Sequence, residues 1–268
     1  MKQLVRKFLI GLGIAFLLAA VAVSSFPHYL ISLFEIKAVE LEGETSHIST
    51  VHFKRSLGNT ISGNFFDIDI NAIRQAALSA PWVKDVSVHK VWPDRIRIEI
   101  KEHRALALWE DGRLVSVDGV LFAANPEEAD NPMALPEFFG RADMVKELTR
   151  RYKRFSQMLR TVKPDARVTE LSVTDRDSWT LAIASKDIPP TRIELGTERE
   201  NWTLEDRFAV VIVQYDEVQA LMKGPPASID ARYENAFSAT LPEKTLKRYR
   251  SNANRRRAAE AVAEQYRQ

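Results

Sequence analysis

Ile96, Ile98 and Ile100 fall on one parity of the chain, and Arg95, Arg97, Glu99 and Lys101 on the other. Alternation with a period of two predicts a strand with one buried and one wet face. Ahead of it, Val86 and Val88 alternate as one face of another strand. Trp92-Pro93-Asp94-Arg95 supplies the turn between them, with Pro93 presetting its own φ and Trp92 pushed to an extended conformation. Further upstream the period changes. Ile70, Ile73 and Ala77 recur at helical spacing behind Asp69, a favoured N-cap residue, and Pro81 stops the helix near Ala80. A short helix over residues 50–57, capped by Ser49, and a strand over residues 36–41 complete a β-α-α-β-β unit. Two helices covering one face of three strands can enclose a small core.

The second half reads as another region of helices and strands. Leu114, Val115 and Val117, then Asp118-Gly119, then Val120 to Phe122 predict a hairpin with a two-residue turn. Residues 125–136 are loop, rich in Pro, Asn and acidic side chains. Met144, Leu148, Tyr152, Phe155 and Leu159 predict a helix over residues 142–162, closed by Pro164. Strands follow at 168–173, 179–184 and 192–195. A second helix starts at Thr203 and runs to about Leu221, ended by Gly224-Pro225-Pro226, and one last strand spans about 227–238.

The N-terminus changes the picture of where these units reside. No charged side chain occurs between Lys7 and Glu35, and FLIGLGIAFLLAAVAVSSF, residues 8–26, is long enough to cross a bilayer as a helix. Lys2, Arg6 and Lys7 flank its start, which predicts a cytoplasmic N-terminus and export of everything beyond about Phe34. A cleaved signal peptide is the alternative, since Ala20-Val21-Ala22 resembles a cleavage site, but the apolar run continues to about Leu33. The 268 residues contain no cysteine, so there is no disulfide, thiolate ligand or cysteine nucleophile. The net charge of +2 is uneven: residues 242–268 hold eight Lys/Arg against three Glu, which leaves the remainder at −3. That body lacks the broad basic surface that nucleic acid requires. The end of the chain reads as a solvated basic tail.

Catalytic chemistry finds little footing. The Ser-x-x-Lys pair of a penicillin-binding-type enzyme needs a helix to bring both side chains to one face, and Ser87 and Lys90 fall in a predicted strand that points them apart. His28, His47, His52, His89 and His103 are isolated, without the spacing of a metal site, so no metal and no cofactor are expected. Trp82 and Trp92 read as core or hairpin packing, and Arg255-Arg256-Arg257 as a solvated face.

The ordered motifs carry a resemblance. PWVKDVSVHKVWPDRIRIEIKEHRALALW leading into DGRLVSVDGVLF, then Leu135-Pro136, WTLAI at 179–183, IELG at 193–196, Arg207-Phe208 and IDARY at 229–233, behind one N-terminal apolar span, resemble the bacterial cell-division family FtsQ/DivIB over residues 1–241. The β-α-α-β-β unit looks like that family's POTRA domain. The expected organisation is a cytoplasmic segment at 1–7, a transmembrane helix at 8–33, a POTRA domain at 34–103, a β domain at 104–241 and a basic tail at 242–268. The expected fold class is α+β, with a second domain built on an antiparallel-rich sheet that has an open edge strand.

The resemblance implies a non-enzymatic assembly protein of the division septum. It would be a single-pass protein of the inner membrane, with periplasmic domains that recruit the bitopic proteins FtsB and FtsL. In the family the last strand offers its edge to FtsB. That places a partner-binding segment at Ala231, Arg232, Tyr233, Glu234, Asn235, Ala236 and Phe237, with Tyr233 at the position of a partner-contacting tyrosine. This chain departs from some relatives in having Asn235-Ala236 where they have Ser-Gly. Its cytoplasmic segment is short, and its tail has no counterpart role. An exported POTRA-type chaperone is the alternative reading. It would call for tandem POTRA units or a barrel, of which one unit and no barrel are read.

Overall fold

The computed structural model describes Gly11 and residues 34–58, 60–234, 236–244 and 247. The expected membrane span, Gly11 aside, and most of the basic tail lie outside the described residues. Among the described residues no helix is long and apolar enough to cross a membrane. The chain divides into two units, Met1–His103 and Arg104–Gln268.

The first unit contains β1 (Ala38–Gly43), α1 (Thr50–Leu57), α2 (Ile70–Leu78), β2 (Val83–Val91) and β3 (Arg95–Glu102). The strand order is β1-β3-β2, with β1 parallel to the central β3 and β2 antiparallel to it. The alternation read from the sequence sets the core: Ile96, Ile98 and Ile100 are buried against Phe53, Leu57, Ile73 and Ala77 from the two helices. On the wet face Arg95 pairs with Glu40 at 2.6 Å and Arg97 with Glu42 at 3.0 Å, tying β1 to β3. Asp69 caps α2, its carboxylate accepting from the Ala72 N–H at 3.0 Å. Ser49 caps α1 by position, without a side-chain bond.

Two boundaries differ from expectation. The second helix ends at Leu78 rather than near Ala80, because the residue before Pro81 is turned away from helical backbone. The first strand begins at Ala38 rather than Ile36. The preceding residues are held elsewhere, the Lys37 N–H donating to the Asp94 carbonyl at 2.9 Å. Trp82 is buried and stacked on His47 with ring centroids 4.3 Å apart. Trp92 is not packed as expected. It is 68% exposed in the β2–β3 turn, with the Phe34 ring 6.4 Å away.

The second unit contains β4 (Ala105–Trp109), β5 (Leu114–Ser116), β6 (Leu121–Phe122), β7 (Glu137–Phe139), α3 (Val145–Val162), β8 (Arg167–Val173), β9 (Trp179–Ala184), β10 (Thr191–Gly196), α4 (Leu204–Met222), β11 (Ser228–Tyr233) and β12 (Ala236–Thr240). They form one nine-stranded sheet in the order β12-β11-β10-β9-β8-β7-β4-β5-β6. Five of the pairings are antiparallel and three parallel, so the sheet is antiparallel-rich but mixed. Two of the parallel pairings are β-α-β crossovers, α3 joining β7 to β8 and α4 joining β10 to β11. The helices meet through Phe155 and Phe208, whose rings pack edge-on at 5.1 Å. Beneath them Leu148, Leu171, Leu181, Ile183, Ile193 and Tyr215 are fully buried.

Three expectations need correction here. Strands β4 and β7 were not foreseen, and β7 has only three residues. The 114–122 hairpin closes on three residues rather than two: the Ser116 N–H donates to the Val120 carbonyl, and Ser116 Oγ accepts from the Asp118 and Val120 N–H groups. Gly119 takes φ +73° there, and a Cβ on it would lie 2.9 Å from Lys146 Cα. Finally, the single strand expected over 227–238 is two strands that fold back on each other.

Candidate partner-binding edge

The region that the sequence singled out is built from the start of α4 onward. Thr203 and Asp206 form a reciprocal N-terminal cap, and the Thr203 hydroxyl bond holds the Asp206 carboxyl below its ordinary range. One turn later Arg207 is only 1% exposed. Its guanidinium donates to the carbonyls of Leu195, Thr197 (2.7 Å) and Trp202 (2.8 Å), so one cation gathers the end of β10, the connecting loop and the start of α4. Burial, reinforced by the charge of Arg199, pushes the Arg207 pKa down. From α4 the chain crosses into β11, which lies parallel to β10.

β11 then turns at Glu234 into β12. Ser228 pairs with Thr240, Ile229 with Ala239, Asp230 with Ser238 and Tyr233 with Ala236. Between the last two pairs, Ala231 and Arg232 oppose Phe237 alone, a bulge that twists the end of the hairpin. Ile229 and Ala231 are buried, and Phe237 and Ala239 pack partly onto the same core. Arg232 forks onto Asp230 at 2.8 and 2.6 Å, holding that carboxyl below its ordinary range. Tyr233 is 66% exposed at the turn.

At this end of the sheet the terminal strand among the described residues is therefore β12, and β11 lies between β10 and β12. Of the expected partner-binding residues, Ala231, Arg232 and Tyr233 lie in β11, Glu234 in the turn, and Ala236 and Phe237 in β12; Asn235 lies outside the described residues. A groove of about 460 Å³ runs between this hairpin and α4. Val210, Val211 and Gln214 line one wall and Tyr233, Ala236 and Phe237 the other. The helix wall was missed by the sequence reading. Its signal was present: Val210, Val211, Ile212 and Val213 are four consecutive β-branched residues, so over this turn the helix is apolar on every side and has more than one face to cover.

Among the described residues, no group of three or more His, Asp or Glu side chains is placed to hold a metal ion. Ser87 and Lys90 lie in β2, three residues apart in a strand, so their side chains project to opposite faces.

A β-α-α-β-β unit followed by a mixed sheet whose terminal strand has no further partner strand among the described residues defines a POTRA-type scaffold. Residues 34–103 match the "POTRA domain, FtsQ-type", and residues 107–232 match "Cell division protein FtsQ/DivIB, C-terminal". The chain is 32% identical to the cell division protein FtsQ of Burkholderia pseudomallei over 205 residues, 76% of this chain and 79% of that protein. It is 30% identical to FtsQ of Allochromatium vinosum over 224 residues, 84% and 85% of the two chains, and 29% identical to FtsQ of Coxiella burnetii over 237 residues, 88% and 91%. The chain belongs to the FtsQ/DivIB family of cell division proteins, a family of scaffolds rather than enzymes.

Proposed function

We propose that this chain is a single-pass inner-membrane protein of the division septum, with residues 1–7 in the cytoplasm, 8–33 as its anchor, and a POTRA domain (34–103) and β domain (104–241) in the periplasm. There it recruits FtsB and FtsL. The observation that carries the reading is the edge of β12, without a further partner strand among the described residues, beside an exposed Tyr233 and a groove of mixed apolar and polar lining. An edge strand presents unpaired N–H and C=O groups, so a segment of FtsB can add to it as a tenth strand. Tyr233 then gives that segment a rigid aromatic contact with a polar tip. The uncharged run at residues 8–26 supports the anchor.

In an antiparallel pair the N–H groups of one strand point alternately toward and away from the neighbour. A proline walked through Ala236, Phe237, Ser238, Ala239 and Thr240 should therefore abolish binding of an FtsB peptide at every second position, those whose N–H faces outward. Tyr233→Ala should weaken binding about tenfold or more, since losing an aromatic hot spot costs about 2 kcal/mol. Calorimetric titration of each full-length variant, with a check that it melts like the parent, measures both. Uniform binding across the scan together with an unaffected Tyr233→Ala would exclude β12 as the interface. Separately, a periplasm-dependent reporter fused after Ser238 should be active. A silent fusion would overturn the topology without touching the edge.

A further inference from the structure

Three segments of the first unit converge on an aromatic patch that the partner edge does not use. The chain enters at Phe34, whose carbonyl accepts from the Phe65 N–H at 2.8 Å, and Glu35 bridges to Asn64. The Lys37 N–H then reaches the Asp94 carbonyl of the β2–β3 turn. These bonds bring Phe34 onto Phe66, edge-on at 5.4 Å, and onto Trp92 at 6.4 Å, while Phe65 meets Phe66 at 5.6 Å. The outer rings remain exposed: Phe66 is 65% exposed and Trp92 slightly more. A small domain does not hold large aromatic side chains outward for its own stability, since burying them would contribute more.

What covers them is indicated by the sequence on the other side of Phe34. Only residues 27–33 separate it from the uncharged run at 8–26. Aromatic rings concentrate at the headgroup level of bilayers, where an apolar body and a polar edge are both accommodated. The flanking charges nearly cancel. Lys37 pairs with Asp94 at 3.4 Å. Lys90 donates to the Phe66 carbonyl at 3.2 Å and lies over the Phe65 ring, while Glu35 and Asp67 sit in the same segments. That is not the polybasic rim of an electrostatic membrane site.

We propose that Phe34, Phe66 and Trp92 form a docking patch that rests in the outer headgroup layer of the bilayer crossed by residues 8–33, and holds the first unit against the membrane surface. The proposal rests on the anchor reading given above. The full chain is reconstituted in zwitterionic bilayers whose lipids carry bromine either near the headgroup or deep in the acyl chains. Insertion is scored independently by flotation and resistance to alkaline extraction. Trp82, Trp109 and Trp179 are buried and Trp202 is half-buried; all four are common to both chains, so the difference between parent and Trp92→Phe isolates the Trp92 ring.

The expected result is that shallow bromine quenches the Trp92 signal at least about twice as strongly as deep bromine, that Phe66→Ser reduces this quenching, and that raising salt to about 1 M leaves it unchanged. An inserted chain whose Trp92 signal ignores brominated lipid overturns the patch and leaves the anchor standing. A chain that does not insert overturns both. Shielding of Trp92 that appears only as chain concentration rises, without lipid quenching, would assign the patch to a second copy of the chain and overturn the proposal.

Discussion

The strands that flank the first unit's sheet carry charge, whereas the strand that closes the second unit's sheet carries none. β1 reads AVELEG, with Glu40 and Glu42 held by Arg95 and Arg97, and β2 contributes Lys84, Asp85, His89 and Lys90. β12 reads AFSAT. At the far end of the same sheet β6 has only two residues, too short to template a partner. Charged, short or covered edges are how native sheets avoid unwanted pairing. Three of the four edges here use charge or brevity, and the fourth is long enough, uncharged and next to a groove. The contrast singles out the β12 edge without reference to any relative, which supports the recruiting role proposed for it.

The same comparison extends inward. The central strand of the small sheet, β3, alternates buried and wet positions, while residues 179–183 of β9 are buried throughout. Ile98→Asp should cost about 3 kcal/mol or more by placing a carboxylate in an apolar core. Glu99→Ala, on the wet face, should stay within about 0.5 kcal/mol. Calorimetric melting of the two variants decides whether β3 has one solvated face; equal melting temperatures would remove that assignment. Next in size, Arg207→Met should cost about 2 kcal/mol or more, because three carbonyls lose their shared donor. It should also weaken FtsB-peptide binding, because Arg207 positions the start of the groove's helix wall. Arg207→Lys should recover only part of both.

A smaller change tests the edges directly. Ser238→Lys puts the charge that β12 lacks onto its exposed face. It should weaken peptide pairing by about 1 kcal/mol, roughly fivefold, without altering the melting temperature. The reverse exchange, Glu40→Thr with Glu42→Thr, should make β1 prone to self-pairing, seen as dimer in sedimentation.

The smallest effect concerns acid. Arg151 is largely buried among Glu147, Glu198 and Glu205. Hydrogen bonding from Arg150, with a further bond from Arg151, holds the Glu147 carboxyl below its ordinary value of 4.5. A depressed carboxyl contributes stability that is full above that value and is lost as pH falls through its folded-state pKa. Melting temperature should therefore be flat near neutrality and drop below about pH 4.5, with a shallower drop in Arg151→Gln.

Much of this was legible in the sequence where one physical signal dominated. The Ile96, Ile98, Ile100 alternation fixed the burial of β3, and Asp69 and Thr203 marked the helix starts through their side-chain acceptors. The misses have equally particular causes. β7 is too short to show a period. The β11–β12 turn carries no glycine or proline in Tyr233-Glu234-Asn235-Ala236, so residues 227–238 read as one strand where the structure has two. Trp92 was read as core or hairpin packing, and its ring is largely exposed. Exposure at a turn depends on what packs over it, which no local pattern reports.

The three-residue strand β7 also gives the second unit one of its thinnest joints. It joins the β4-β5-β6 meander to the rest of the sheet through two residue pairs on one side and three on the other. A sheet opens first where fewest ladder bonds must break together. Amide protons of Leu108 and Glu110, which donate to the Pro136 and Phe138 carbonyls, should therefore exchange through partial openings that leave those of Leu171 and Leu181 protected. The meander is hinged to the β8–β12 block at this joint, and strain applied there would part the sheet at β7 before it reached β12.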